Sequence, residues 1–320
     1  MSARARLVIG LVNNMPDAAL QTTEHQFRDL LGAARSDYEI ELRIFSFPEL
    51  IRGEAGHAYV TEHYAPIDGL WSGELDAFIV TGAEPRTPIL AEEAYWQSLT
   101  QLIEFANETA TPAIWSCLAA HAAVLHLDGI QRHPLGEKIS GLFRCARASD
   151  HQLLAGLPAS WCIPHSRLNT LDPAELVEAG YEILSLSEQA GADTFMLRRR
   201  APFVFFQGHP EYDAAALLRE YRRDVGRFLA GTMDRYPEMP RGYFDDETVV
   251  AFDAFRARAQ RQRSHDLLEE FPDGDARKQL AHVWHDVAAR LYRNWLTAVV
   301  AEHKSDGLLT AGGALPASAP

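Results

Sequence analysis

Cysteine is scarce: three residues in 320, at Cys117, Cys145 and Cys162. Three cannot all pair within one chain, so a disulfide framework is excluded and reduced thiols are expected. No apolar run reaches the roughly 18–20 residues that a membrane span needs. Residues 7–12 (LVIGLV) follow two arginines, but the run is too short and too quickly polar for a signal peptide. The expected address is the cytoplasm, with no membrane partner. Basic charge is also short, with 30 Lys and Arg against 44 Asp and Glu, a net of −14 with histidines neutral. Phosphate backbones require clustered Lys and Arg, so nucleic acid is not an expected partner. The chain is 47% hydrophobic and 23% charged, which excludes global disorder. There is no internal repeat.

What is present is an alternation of short apolar runs and helical patterns. Residues 7–12, 40–45, 77–80 (AFIV), 113–116 (AIWS) and 203–206 (FVFF) read as buried strands. Residues 20–31, 95–106, 118–127 and 214–229 read as helices between or after them. Near-continuous apolar strands separated by helices indicate an α/β fold, a mainly parallel sheet covered on both faces. Residues 138–143, 160–163 and 181–186 look antiparallel, which predicts a small extension of that sheet and not a second domain. Residues 248–263 and 278–302 predict C-terminal helices, with 256–265 a charged, solvated stretch. One domain over residues 1–305 is expected, followed by an Ala/Gly/Pro/Ser-rich tail over 306–320 that is expected to be disordered.

Cys117 stands between the AIWS strand and the Ala-rich helix. A strand-to-helix turn exposes its residue at the carboxyl edge of the sheet, where open α/β sheets place their sites. The helix N-terminus favours a thiolate there. The backbone N–H of Leu118 and one from the Gly82–Ala83 loop could form an oxyanion hole. The plain alternative is a small buried thiol, and that reading is preferred for Cys145 and Cys162. A thiolate needs a base, and the base needs an orienting group. The run Gln207-Gly208-His209-Pro210-Glu211 supplies both at the end of the FVFF strand. A His-x-Glu pair is weak alone; its weight comes from emerging at the same sheet edge as Cys117. His165 is the main competitor as base. Lys138 and Arg223 are the cations expected near a substrate carboxylate, and Ser166 and Arg167 read as polar loop residues.

At these residues the chain resembles the homoserine O-acyltransferases, the O-succinyl- and O-acetyltransferases on a class I glutamine-amidotransferase-like (flavodoxin-like) fold. The matching stretches include Asn14-Met15-Pro16, Thr81-Gly82-Ala83, Tyr95-Trp96, Cys117 with its helix, Glu137-Lys138-Ile139-Ser140-Gly141, Pro164-His165-Ser166-Arg167, Gly208 to Asp213, and Asn294-Trp295-Leu296. The resemblance implies a single acyltransferase domain and ping-pong acyl transfer in methionine biosynthesis. Cys117 would carry the acyl group as a thioester, His209 would act as base and Glu211 would orient it. Lys138, Ser166 and Arg223 would contact substrate. Acyl-CoA and L-homoserine enter as substrates, with no cofactor, no metal and a homodimer as the expected assembly.

Three positions depart from the family pattern. Asp17 stands where a lysine is usual, and His121 where a glutamine is usual. Arg86 falls at the position that discriminates acyl donors, where glycine goes with succinyl and glutamate with acetyl. A guanidinium can pair with the free carboxylate of a succinyl group, so succinyl-CoA is favoured over acetyl-CoA. Rival readings are a glutamine amidotransferase-like amidase, transfer to another hydroxy amino acid such as serine, and a non-catalytic protein that retains the fold.

Overall fold

The apolar runs form one half of a single sheet. In the computed structural model, which describes residues 5–35 and 38–311, β1 (Ala5–Val12), β2 (Tyr38–Phe45), β3 (Ala77–Val80), β4 (Ala113–Ser116) and the last strand, β9 (Pro202–Phe206), run parallel to one another. The antiparallel half is β5 (His133–Arg147), β6 (Ser160–Thr170), β7 (Glu182–Ser187) and β8 (Gly191–Arg198). Among the described residues these make one nine-stranded sheet in the order β2-β1-β3-β4-β9-β8-β7-β5-β6.

Strand alternation sorts the side chains into two cores, one on each face. Ala77 and Ile79 of β3 pack on one face with Phe27, Leu30 and Leu31 of α1 (Leu20–Ala34). Phe78 and Val80 point to the other face, among Leu99, Leu102 and Ile103 of α3 (Trp96–Glu108) and the alanines of α4 (Leu118–Asp128). The helix α6 (Ala216–Leu229) joins the α1 face through Leu217, Leu218, Val225 and Phe228. Burying both faces is what lets these strands be apolar throughout.

The remaining α-helices among the described residues are α2 (Glu54–His63), α5 (Pro173–Glu178), α7 (Asp246–Arg261), α8 (Asp273–Gln279) and α9 (His285–Ala311). The expected helix over 278–302 is broken at its start: α8 ends at Gln279 and α9 begins at His285. Between them Trp284 is fully buried. α9 crosses the C-terminal end of α1, where Arg293 donates to the carbonyls of Ala33 and Ala34 at 3.2 Å each. Asn294 donates to those of Leu153 and Ala155. α9 runs to Ala311, and residues 312–320 of the expected tail lie outside the described residues.

The structure corrects the loop reading of Ser166 and Arg167. Both lie inside β6, which continues past Pro164 to Thr170. β6 is the edge strand of the sheet, and an edge tolerates the missing N–H of a proline. No helix of the described chain is long and apolar enough to cross a membrane.

Candidate active site

Parallel neighbours deliver their C-terminal ends to one edge. β4 and β9 are adjacent, with Ser116 opposite Phe206. The next residue, Cys117, donates its N–H to the Phe206 carbonyl at 2.7 Å and then turns into α4. It makes that turn with φ +51° and ψ −109°, left-handed backbone that an L-residue rarely adopts. Such a conformation costs about 1–3 kcal/mol and persists only where the surrounding fold imposes it. No side chain caps the first turn of α4. The Gly82 backbone lies directly against this turn. A Cβ added at Gly82 would sit 3.1 Å from the Leu118 nitrogen and 3.5 Å from the Cys117 Cβ. Glycine is therefore what lets the loop after β3 come this close.

His209 and Glu211 are both buried, 8% exposed each, while Cys117 is half-buried. Glu211 Oε1 lies 2.8 Å from His209 Nδ1. The His209 N–H donates to the Pro164 carbonyl at 2.8 Å, which ties the loop to β6. Tyr212 stacks on the imidazole with centroids 4.2 Å apart. Trp284 and His282, in the break between α8 and α9, both reach the Tyr212 carbonyl, at 2.9 and 3.0 Å. The C-terminal helices thus brace the histidine loop from behind. Burial opposes protonation of His209, but the Glu211 carboxylate, the Cys117 sulfur and hydrogen bonds to both outweigh it. The imidazole is held well above its ordinary range.

The rival base is placed elsewhere. His165 is fully buried on the far side of Gly208, with Nε2 3.2 Å from Asp193 Oδ1. Burial outweighs the Asp193 partner and pushes His165 down. Asp193 also accepts from Ser185 at 2.8 Å and Thr194 at 2.9 Å. Cys145 completes this buried group, whose donor atoms lie within 4.8 Å of one another. Burial pushes the Cys145 thiol up. Cys162 is half-buried on β6.

Lys138, Ser166 and Arg223 converge on two carboxylates of α6 that the sequence reading did not single out as site residues. Lys138 Nζ donates to Asp224 at 2.9 Å and to Glu220 at 3.2 Å. Ser166 Oγ donates to Glu220, and Tyr212 Oη does so at 2.5 Å. Arg223 Nε donates to Asp224 at 2.8 Å. Burial would raise both carboxyls, yet the surrounding cations and hydrogen bonds hold Glu220 and Asp224 below the ordinary range. Lys138 lies where the β5–β6 register slips, between Pro134 and Ile139. Such irregularities re-aim a side chain. Glu220 and Asp224 lie four apart on α6, one turn, so they share a face. That spacing was the available signal.

Arg86 is not brought into this cluster. Its side chain is exposed and donates to the Ile51 carbonyl at 3.2 Å, while its N–H donates to buried Glu93 at 2.6 Å. Arg132 stands closer to the nucleophile. It is half-buried, donates to the Pro88 carbonyl at 3.0 Å, and feels the Cys117 charge; burial holds it low against Tyr95, Glu93 and Cys117. The other two departures have local partners. Asp17 accepts from Arg52 at 3.0 Å and from the Gly53 N–H at 2.8 Å. His121 pairs with Gln207 at 2.9 Å, and burial lowers it to about 3, so it is neutral.

A mixed sheet whose parallel half carries a cysteine elbow after β4 and a His-x-Glu turn after β9 has an α/β fold of the class I glutamine-amidotransferase-like type. A solved glutamine amidotransferase from Methylobacillus flagellatus shares this fold at a TM-score of 0.51 and 14% identity, over 92% of this chain and 95% of that one. The model of the homoserine O-succinyltransferase family matches residues 2–305, and the chain belongs to that family of acyltransferases. Among curated relatives, a homoserine O-succinyltransferase of Methylorubrum extorquens is 47% identical over 92% of this chain and 87% of its own length. One of Rhodopseudomonas palustris is 47% identical over 94% of this chain and 91% of its own.

Proposed function

We propose that this chain, as one catalytic domain over residues 1–305, transfers the succinyl group of succinyl-CoA to the hydroxyl of L-homoserine in cytoplasmic methionine biosynthesis. The observation that carries this reading is the strained Cys117 elbow facing a His209–Glu211 pair, in a chain whose relatives bear that name. Cys117 passes its proton to His209, and the sulfur attacks the acyl carbonyl. The backbone N–H of Leu118 and the Gly82–Ala83 loop receive the oxyanion. Collapse expels the CoA sulfur, which takes the proton from His209 and leaves a thioester on Cys117. Acylation also removes the sulfur's negative charge, one of the causes that hold the imidazole high. His209, neutral after handing its proton to CoA, then stands beside an uncharged thioester as the free base of the second step. It takes the proton of the homoserine hydroxyl as the oxygen attacks the thioester, and the expelled Cys117 sulfur recovers that proton from His209, which restores the starting pair.

The cluster of Lys138, Ser166, Arg223, Glu220 and Asp224 offers both charge signs to the two ends of an amino acid. Arg132, which feels the Cys117 charge, is the cation assigned to the distal carboxylate of succinyl; Arg86 would have to leave the Ile51 carbonyl to share that role. No cofactor is required by these steps, and a homodimer remains the expected assembly. A donor-by-acceptor matrix of CoA release, with succinyl-CoA, acetyl-CoA, homoserine and serine, tests the reading. The succinyl-CoA and homoserine pair should turn over fastest. Ammonia release from glutamine with no CoA release would replace it with the amidase reading.

A further inference from the structure

A cavity of about 560 Å³ beside α6 is lined by five arginines, Arg219, Arg222, Arg223, Arg227 and Arg277, together with His265. This is an unexpected concentration in a chain of net charge −14. The spacing explains it. Arg219, Arg223 and Arg227 are four apart on α6 and so form a stripe down one face. Arg222 stands beside that stripe, and Arg277 comes across from α8. Gly226 keeps the floor low, since a Cβ there would meet Leu268 at 3.1 Å.

The carboxylates around it do not use up the donors. Asp213 takes one nitrogen of Arg219 at 2.7 Å, Asp224 sits on Arg223 at 2.8 Å and near Arg227 at 3.7 Å, and Glu84 on Arg227 at 2.8 Å. Asp273 is the only carboxylate partner of Arg222 and Arg277 among the described ion pairs. It stands 3.6 and 3.9 Å from them, beyond hydrogen-bond length. Arg222 Nε has no hydrogen-bond partner. Glu220 stands 4.0 Å from Arg223, also beyond hydrogen-bond length. A guanidinium carries five N–H donors, so these contacts leave donors unspent in a fork geometry that suits phosphate.

The cavity borders the reaction site at two points. Arg223 leads through Asp224, Lys138 and Glu220 to Tyr212, stacked on His209. Arg227 reaches Glu84, two residues past Gly82. A volume of this size falls within the range of small-ligand sites, roughly 300–1,000 Å³. We infer that this arginine-lined cavity docks the phosphate-bearing nucleotide end of the acyl-CoA donor, from which the pantetheine arm runs past Arg223 and Arg227 to Cys117.

The inference rests on the proposed acyl-CoA reaction, and its test separates the two. KM and kcat are measured for succinyl-CoA and for succinyl-pantetheine, which lacks the nucleotide, with the native chain, with Arg277→Gln on the exposed helix α8, and with Arg222→Gln plus Arg277→Gln. Binding of 3′-phosphoadenosine 5′-phosphate is measured by calorimetry. The double variant should raise KM for succinyl-CoA at least tenfold, and Arg277→Gln about threefold. The values of kcat, KM for homoserine and KM for succinyl-pantetheine should be unchanged, and nucleotide binding should weaken at least tenfold. Unchanged nucleotide binding and unchanged KM for succinyl-CoA overturn the dock while leaving the reaction intact. Equal losses with both donors overturn it too. If neither thioester acylates the native chain, the reaction itself is wrong, and nucleotide binding that still depends on these arginines would keep the cavity as a phosphate site.

Discussion

Gly208→Ala puts the geometry of the histidine loop to a quantitative test. Gly208 is the residue before His209, and its α-carbon faces the buried pair beneath the loop. A methyl there would stand 2.5 Å from Asp193 Oδ1, 2.6 Å from Ile163 Cγ2 and 3.0 Å from His165 Nε2. Ordinary contact begins near 3.4 Å, so something must retreat by about 0.9 Å. Asp193 cannot easily do so, because Ser185 and Thr194 hold its other oxygen. The loop is what yields, and it carries His209 away from Cys117. Overpacking of this kind costs about 1–3 kcal/mol of stability. A misplacement near 1 Å at a catalytic group costs about 10²-fold in rate. The assay is steady-state CoA release with purified variant, with urea unfolding measured in parallel. The expectation is a kcat near one hundredth of native in a protein that still unfolds cooperatively. A kcat within threefold of native would show that the contact beneath Gly208 does not position the base, and the argument would fail.

Three further perturbations address other parts of the site. In Glu211→Gln the carboxylate that helps hold His209 high is gone, so the imidazolium that accompanies the thiolate loses support. Alkylation of Cys117 by iodoacetamide should then need a higher pH than in the native chain, and an unshifted profile would contradict the assignment. Glu220→Gln removes the charge that Lys138, Ser166 and Tyr212 share. Hydrogen bonds to a charged group are worth about 1.5–3 kcal/mol each. The variant should therefore lose at least tenfold in kcat/KM for homoserine while the first-step burst of CoA is retained. His209→Asn should reduce turnover severely, and native-like rates would remove the proposed base.

The parts of this site that were legible in the sequence are the local ones. A tetrapeptide strand, a cysteine and an Ala-rich helix fix the Cys117 elbow within a dozen residues. The strand before Gly208 fixes where His209 emerges. What could not be read depends on distant partners. β8 opens on Gly191, Ala192 and Asp193, residue types depleted in strands, so its start carries no strand signal. Asp193 is tolerated there only because His165, Ser185 and Thr194 meet it in the folded chain. β6 was cut short at Pro164, since edge position is a property of the sheet and not of the sequence. Arg86 lies on a loop whose course no sequence pattern sets, and that loop turns its side chain toward Ile51. Arg132 had no local pattern at all; it nears Cys117 only because the segment after α4 folds back toward the loop containing Pro88.

The covalent intermediate is the most direct point of attack. The native chain is mixed with succinyl-CoA in the absence of any acceptor, quenched in acid, and analysed by intact mass and peptide mapping. The account requires one succinyl group per chain, on the peptide containing Cys117, discharged when homoserine is added and absent from Cys117→Ala. A succinyl group on any other residue, or undiminished turnover in Cys117→Ala, would contradict it.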